Sequence, residues 1–276
     1  MPVAITESTT IDYDVHGEGP PLVLINGLGF RPWAFFKQLP TLSRHFSTIT
    51  FDVRGERNLK GGVADLAADT VALLDHLGVR KAHVLGASLG GFVAQQLALQ
   101  RPDLVERMVL VGTSYGGRGA EATSPEALAG MMGWPSLSVE GAFRRGLQTA
   151  TSEAYRAKHP EEFERIVRWR LADSPSLSTY YEQVRAATRF DVSGEVGSIT
   201  SPTLVIHGVE DRYVPVANAV ALAEAIPGAK LRVLEDAGHL VFIEQAADVN
   251  REVLTFLKPR KPRRSRGAQR TPTKSL

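Results

Sequence analysis

The pattern of apolar and polar positions predicts alternating strands and helices over most of the chain. The short, continuously apolar run at residues 21–25 is typical of a strand buried on both faces of a sheet, and residues 107–111 and 202–208, which are mostly apolar, also predict buried strands. Apolar residues spaced three and four apart over residues 63–77 predict an amphipathic helix. Strands and helices that alternate with short connections form βαβ units, so we expect an α/β fold whose twisted sheet is mostly parallel and carries helices on both faces.

Two short β-prone runs at residues 3–5 and 10–15 are followed by turn residues and predict an antiparallel edge to this sheet. The same reasoning predicts three further strands, at residues 46–51, 81–85 and 230–234. It also predicts helices at residues 33–42, 214–225 and 244–257.

The alternation is interrupted between residues 115 and 199, where helical stretches follow one another without a sheet strand. The helices are predicted at residues 125–132, 139–149, 161–172 and 177–187. An insert of this kind on an α/β sheet is expected to form a helical cap above the strand ends. We therefore predict a core domain of residues 1–114 and 200–257, a cap of residues 115–199, and a separate tail of residues 258–276.

Composition adds that the predicted core and the tail differ in charge. The 276 residues are 43% apolar, which is enough for one large domain. Eight of the 32 Lys and Arg residues lie in residues 258–276, which contain no acidic residue. Residues 1–257 therefore carry 24 basic and 30 acidic side chains, a net charge of −6, and the overall charge of +2 arises from the tail. We expect this tail to be solvated and disordered, without a nucleic-acid partner.

The absence of cysteine excludes disulfides, thiolate metal sites and a cysteine nucleophile. The first residues, MPVAITESTT, have neither the basic nor the apolar region of a signal peptide, and no apolar run approaches membrane-spanning length. The sequence therefore predicts a soluble, cytoplasmic protein that has no membrane partner. We expect a monomer or a homodimer.

A serine between glycines is the strongest chemical signal in the chain. The segment GASLG, residues 86–90, fits the pattern G-x-S-x-G, in which a sharp turn between a strand and a helix exposes the serine hydroxyl. Gly86 and Gly90 stand where a Cβ would collide with neighbouring backbone if the turn closed sharply. The preceding run is β-prone, and apolar residues then recur at helical spacing until Pro102. We therefore predict that Ser88 is a nucleophile.

A serine nucleophile needs a base, and the base needs a carboxylate to orient it. His239 lies in a glycine-containing loop directly after the last predicted strand, which favours it as the base. Asp211 follows a buried strand and precedes a helix, and we favour it as the acid. Glu210 and Asp236 remain open as alternatives. The order Ser, Asp, His along the chain is the order of hydrolases built on an α/β sheet.

A developing oxyanion needs donors that are already in place, and backbone N–H groups at the start of a helix provide them. The N–H of Leu89, directly after Ser88, is the first predicted donor. The N–H of Leu28, in the Asn-Gly-Leu-Gly turn after a buried strand, is the second.

Five motifs, LINGLG, FDVRG, VLGASLGG, LVIHGVEDRYVP and EDAGHLVFIE, occur in this order. Together they strongly resemble the α/β-hydrolase superfamily over residues 3–257, most closely its esterase, lactonase and haloperoxidase-like branches. The resemblance implies an α/β-hydrolase fold with an inserted helical cap, a triad of Ser88, Asp211 and His239, and an oxyanion hole at the two amides named above.

Two segments depart from the pattern of the family. The family usually has His-Gly where this chain has Asn26-Gly27. The intracellular polyester depolymerases of the family are similar to this chain at this point, where they also look to have Asn-Gly. The usual Arg-Gly-x-Gly-x-Ser loop is replaced at residues 54–59. Ser88 at the turn disfavours haloalkane dehalogenase and epoxide hydrolase chemistry, because those members of the superfamily use Asp there.

These observations predict a serine hydrolase, without metal or cofactor, that cleaves a small or medium hydrophobic ester or lactone through an acyl-enzyme. Two alternatives remain open: the same triad could serve acyl transfer, perhydrolysis or C–C bond hydrolysis, or the fold could serve as a ligand receptor with vestigial turnover. The residues predicted to line the substrate pocket are Phe30, Tyr115, Met131, Trp134 and Leu240.

Overall fold

The computed structural model of the protein describes residues 2–5, 10–52, 62–132 and 138–258. Its centre is an eight-stranded sheet with the order β1-β2-β4-β3-β5-β6-β7-β8. Every pair from β4 to β8 along this order is parallel, and only β1 with β2 and β2 with β4 are antiparallel. The predictions of a mostly parallel sheet and of an antiparallel edge are confirmed. The strands are β1 (Val3–Ile5), β2 (Thr10–His16), β3 (Pro21–Ile25), β4 (Ser47–Phe51), β5 (Ala82–Ala87), β6 (Val105–Val111), β7 (Thr203–Gly208) and β8 (Lys230–Leu234).

Helices cover both faces of the sheet, because successive residues of its central strands point to opposite faces and are buried on both. On β3, Val23 and Ile25 belong to one apolar cluster, whereas Leu22 and Leu24 belong to the other. The first cluster includes residues of α2, α3 and α9, and the second includes residues of α1, α10 and α11. These helices are α1 (Leu39–Leu42), α2 (Val63–His76), α3 (Leu89–Gln100), α9 (Val216–Ala225), α10 (Val241–Glu244) and α11 (Ala246–Leu257).

Five α-helices are described between β6 and β7, in the segment that we call the helical insert, residues 115–199. They are α4 (Pro125–Met132), α5 (Val139–Ala150), α6 (Glu153–Lys158), α7 (Pro160–Ala172) and α8 (Leu177–Arg189). Helix α6 was not predicted, because six residues are too few to establish a helical period; the Ser152 hydroxyl caps it by accepting the N–H of Tyr155. No helix within the described ranges is long and apolar enough to cross a bilayer.

Two predicted helices are divided in the structure. Residues 33–42 form a short 3-10 helix, Pro32–Phe35, and then α1, which has a proline in its first turn. Proline favours the start of a new helix because it has no N–H to continue the preceding one. Residues 244–257 belong to α10 and α11, which meet at Gln245, where the backbone leaves helical geometry with φ −119° and ψ 48°.

Candidate active site

The turn at Ser88 has a backbone conformation that non-glycine residues rarely adopt. Ser88 directly follows β5 and precedes α3, with φ 54° and ψ −118°. Its backbone is held on both sides, since its N–H donates to the carbonyl of Val111 and its carbonyl accepts the hydroxyl of Thr113. This strained turn places the serine side chain at the carboxyl edge of the sheet.

Glycines around Ser88 allow this turn to pack against its neighbours. A Cβ on Gly86 would lie 2.1 Å from the carbonyl oxygen of Gly90, and a Cβ on Gly90 would lie 2.0 Å from that of Ile25. Real Cβ atoms do not approach backbone so closely. The predicted need for glycine at positions 86 and 90 is therefore confirmed, and the reason is that α3 packs directly against the ends of β3 and β5.

Three side chains predicted to act together form a hydrogen-bonded series. His239 Nε2 lies 3.0 Å from Ser88 Oγ, and His239 Nδ1 lies 2.8 Å from Asp211 Oδ2. Because the carboxylate can only accept, Nδ1 carries the proton and Nε2 presents its lone pair to the serine hydroxyl. In this arrangement the imidazole can take the hydroxyl proton while the serine oxygen attacks an electrophile. Glu210 and Asp236, the alternative acids, are exposed and make no such contact with His239.

Asp211 is buried within a set of hydrogen-bond donors. Its Oδ1 accepts the backbone N–H groups of Tyr213 and Val214 at 2.9 and 2.8 Å, and its Oδ2 lies 3.2 Å from Nε2 of the fully buried His207. Burial alone would raise the pKa of Asp211. The neighbouring His239 and the hydrogen bonds from both histidines outweigh burial and lower the pKa to about 2. Asp211 is therefore ionised at neutral pH.

The loop that carries His239 is bound to the helical insert by a partly buried carboxylate. Both carboxylate oxygens of Glu244 accept the N–H of Gly238, the residue before His239, with distances of 3.0 Å to Oε1 and 3.1 Å to Oε2. Glu244 also accepts the N–H of Ser152, between α5 and α6, at 2.8 Å. Burial raises the pKa of Glu244, against the lowering effect of these hydrogen bonds. Since Leu240 also donates its N–H to the carbonyl of Ala150, the insert helps to fix the backbone on both sides of the histidine.

Two backbone amides beside Ser88 make no hydrogen bond to any protein acceptor in the described part of the chain. They belong to Leu89, the first residue of α3, and to Leu28, in the loop after β3. This loop touches the serine, because a Cβ on Gly27 would lie 3.2 Å from the Ser88 Cβ and 3.8 Å from its Oγ. Both predicted oxyanion donors are thus available to a bound molecule.

Ser88 and His239 open onto a cavity of about 570 Å³ between the sheet edge and the helical insert. This volume suits a small organic molecule, and most of the side chains that line it are apolar. Three of the predicted pocket residues, Phe30, Met131 and Leu240, line it. Trp134 lies outside the described residues, as do residues 54–59 and the tail from residue 259.

Tyr115 does not line this cavity. Its partly buried side chain packs against the hydrophobic core that contains α2 and α3, and its carbonyl accepts the N–H of Val192. The loop after β6 turns at Gly116, whose φ of 73° directs the chain back toward the carbonyl of Phe190. Tyr115 is therefore a core residue at the base of the insert.

Sequence reasoning missed several residues that line the cavity. Phe92, which stacks on Phe190 with ring centroids 4.4 Å apart, follows Ser88 by one helical turn. Tyr213, whose ring centroid is 5.1 Å from that of His239, follows Asp211 by two residues. Proximity in sequence to Ser88 and Asp211 could have indicated both. Arg170 carries no such signal, because a charged residue on an amphipathic helix normally faces solvent.

The described residues contain no group of three or more His, Asp or Glu side chains that could hold a metal ion. The groups that the described site presents to a bound molecule include its serine, its imidazole and its two available amides.

The fold and the site define a hydrolase of the α/β class. The model of the alpha/beta hydrolase fold family matches residues 20–246, and the chain belongs to this family. The resemblance inferred from the sequence motifs is confirmed.

Known proteins similar to this chain differ in the substrates that their names give. The chain is 28% identical over 258 residues to a protein of Agrobacterium fabrum designated provisionally as carbamate hydrolase RutD, covering 90% of this chain and 98% of the relative. It is 28% identical to the 2-hydroxy-6-oxo-6-phenylhexa-2,4-dienoate hydrolase of Comamonas testosteroni, covering 93% and 95% of the two chains. Among solved structures, the enol-lactonase of Burkholderia xenovorans LB400 is similar with a TM-score of 0.80 and 26% identity, covering 93% and 99%.

Proposed function

We propose that the protein is a serine hydrolase that cleaves carboxylic esters or lactones of small to medium size through an acyl-enzyme. The observation that carries the proposal is the continuous hydrogen-bonded series from Ser88 through His239 to Asp211, which opens onto a mainly apolar cavity. The resemblance to an enol-lactonase agrees with this choice of substrate.

In the proposed reaction, His239 accepts the proton of Ser88 while the serine oxygen attacks the carbonyl carbon of the substrate. The amides of Leu28 and Leu89 donate to the oxyanion that forms, and the ionised Asp211 stabilises the imidazolium. His239 then protonates the departing alcohol oxygen, which leaves an ester on Ser88. Water, deprotonated by the same imidazole, hydrolyses this ester and restores the serine.

The helical insert acts as the cap of the site in this proposal. Met131, Phe143 and Tyr180 of the insert line the cavity opposite the sheet edge and exclude water from the reacting carbonyl. Their apolar surfaces favour a hydrophobic acyl or alcohol group.

Replacement of the serine tests the mechanism directly. We expect Ser88→Ala to lower turnover of p-nitrophenyl esters by about six orders of magnitude and to abolish labelling by a fluorophosphonate probe. Peptide mapping of the labelled wild-type protein is expected to place the probe on Ser88. The matched control is Ser198→Ala, at an exposed serine that lies in a 3-10 helix; it should leave both readouts unchanged. Ester turnover that survives Ser88→Ala would refute the proposed mechanism.

A second candidate reaction is the hydrolysis of a C–C bond next to a ketone. It is favoured by the resemblance to a relative whose name gives it a 6-oxo acid as substrate. The same serine, histidine and amides would act on the ketone carbonyl, with a carbanion as the leaving group. Competition between an ester and a β-diketone of equal length separates the two candidates. A larger kcat/KM for the ester supports ester hydrolysis, and a larger kcat/KM for the β-diketone supports C–C bond hydrolysis.

A further inference from the structure

A buried arginine of the helical insert lines the cavity. Arg170, on α7, has only 8% of its surface exposed. Its Nη1 donates to the carbonyl of Gly29, and its guanidinium carbon lies 4.3 Å from the ring centroid of Phe30 and 5.2 Å from that of Phe143. The planar cation thus lies close to two aromatic rings, beside the loop that follows β3.

Within the described residues, this guanidinium has no carboxylate partner. The only ionisable groups that act on it are Tyr180 and Tyr213, and burial lowers the pKa of Arg170 to about 10. An arginine has five N–H donors, and a buried charge is costly unless it is paired. With a pKa of about 10, Arg170 is a cation at neutral pH. Its guanidinium makes one hydrogen bond within the described part of the chain and lies in the wall of the cavity that contains Ser88.

We propose that Arg170 binds a carboxylate group of the substrate, so that the preferred substrate is an ester or lactone that also carries a free carboxylate. The inference rests on the proposed function and adds the chemical class of the substrate. The guanidinium presents a planar fork that matches a carboxylate, and the surrounding aromatic rings exclude the water that would weaken this ion pair.

The position of Arg170 also limits where the carboxylate lies in the substrate. Gly27 packs against Ser88, and Gly29 carries the carbonyl that binds Arg170. Two residues of extended chain span at most ~7 Å. Because Ser88 and Arg170 both contact this short segment, we expect the carboxylate bound to Arg170 and the carbonyl that Ser88 attacks to be separated by only a few bonds. Short dicarboxylic monoesters fit this spacing.

The test compares two substrates that differ only in charge: monomethyl glutarate, and its analogue in which a carboxamide replaces the carboxylate. With wild-type protein we expect kcat/KM to be about 30-fold higher for the anionic ester, the range expected of a charged hydrogen-bonded pair. Arg170→Met should remove this preference by slowing the anionic substrate alone. Arg170→Lys should retain part of it. Arg168→Met is the matched control, since Arg168 is exposed on the same helix.

Equal kcat/KM for the two substrates with wild-type protein would overturn the proposal, and this comparison does not depend on the stability of any variant. An equal loss for both substrates in Arg170→Met would also overturn it, because Arg170 would then only hold the loop at Gly29. Calorimetric titration of Ser88→Ala protein with glutarate monoamide and with neutral glutaramide separates binding from reaction. If the Ser88→Ala protein binds the anionic ligand selectively but the wild-type protein hydrolyses neither ester, only the proposed hydrolase reaction is refuted. If the wild-type protein hydrolyses both esters equally well, only the proposed carboxylate site is refuted.

Discussion

At the scale of single residues, Asp211 remains ionised in a fully buried position because four donors surround its carboxylate. Two are backbone N–H groups and two are the imidazoles of His207 and His239. His207 also donates from Nε2 to the carbonyl of Val214 at 2.7 Å, which fixes its proton on that nitrogen. The acidic member of the site thus also contacts a second histidine, which lies in β7.

This environment predicts how stability depends on pH. The pKa of Asp211 is lowered in the folded protein to about 2 from 3.8, so its ionised form stabilises the fold above pH 4. This contribution, about 2 kcal/mol, is lost as the pH falls from 4 to 2. Asp211→Asn cannot ionise and should therefore lose less stability over this range than wild type. Urea unfolding at several pH values measures the difference, and parallel curves for the two proteins would contradict the prediction.

Individual residues differ in how well the sequence could identify them. Ser88 and Asp211 were identifiable because each follows a buried strand, and the carboxyl ends of parallel strands meet at one edge of a sheet. Arg170 was not, because its burial depends on the angle at which α7 crosses the loop after β3. Tyr115 is predicted to line the pocket, but a glycine turn directs it into the core.

At the scale of elements, close packing between α3 and β3 determines the position of Ser88 relative to the loop that contains Leu28. Gly90 permits this packing, since an added Cβ would lie 2.0 Å from the carbonyl oxygen of Ile25 and 2.9 Å from that of Asn26. These oxygens belong to the backbone, and backbone atoms cannot move aside without moving the strand or loop that contains them. Helix α3 would have to shift away from β3, and Ser88 would shift with it.

We therefore expect Gly90→Ala to lower the free energy of unfolding by about 3 kcal/mol and to slow fluorophosphonate labelling of Ser88. Gly194→Ala is the control, because a Cβ at this glycine has no atom within 4 Å; its effect on stability should stay within about 0.5 kcal/mol. Chemical denaturation and labelling rates of the two variants check the prediction. Wild-type labelling in folded Gly90→Ala would show that α3 adapts without displacing Ser88.

The sequence predicted strands better than helix boundaries. Buried parallel strands are short and continuously apolar, and β8 occupies the predicted residues 230–234. Helix ends depend on local geometry that periodicity does not record. The break between α10 and α11 at Gln245 is one example, and it leaves Glu244 at the end of α10, where its carboxylate reaches the His239 loop.

At the scale of the whole molecule, the site combines residues that are far apart in sequence. Ser88 and His239 are separated by 151 positions, and Gly29 binds Arg170 across 141. The alternation of strands and helices predicts that the loops meet at one sheet edge, but it does not predict the path of the insert across that edge. The catalytic series could therefore be proposed from the sequence, whereas most of the cavity wall could not.

The distribution of charge over the chain leads to a final prediction about its basic end. Deletion of residues 260–276 removes seven basic residues and changes the formal net charge from +2 to −5. All residues assigned here to the site lie before this segment, so we expect unchanged kcat/KM for esters together with new retention on an anion-exchange column at pH 7.5. A full-length variant with serine at the same seven positions controls for chain length and should behave like the truncated protein. A large loss of turnover in the truncated protein, but not in the serine variant, would mean that the tail contributes to the site through its backbone.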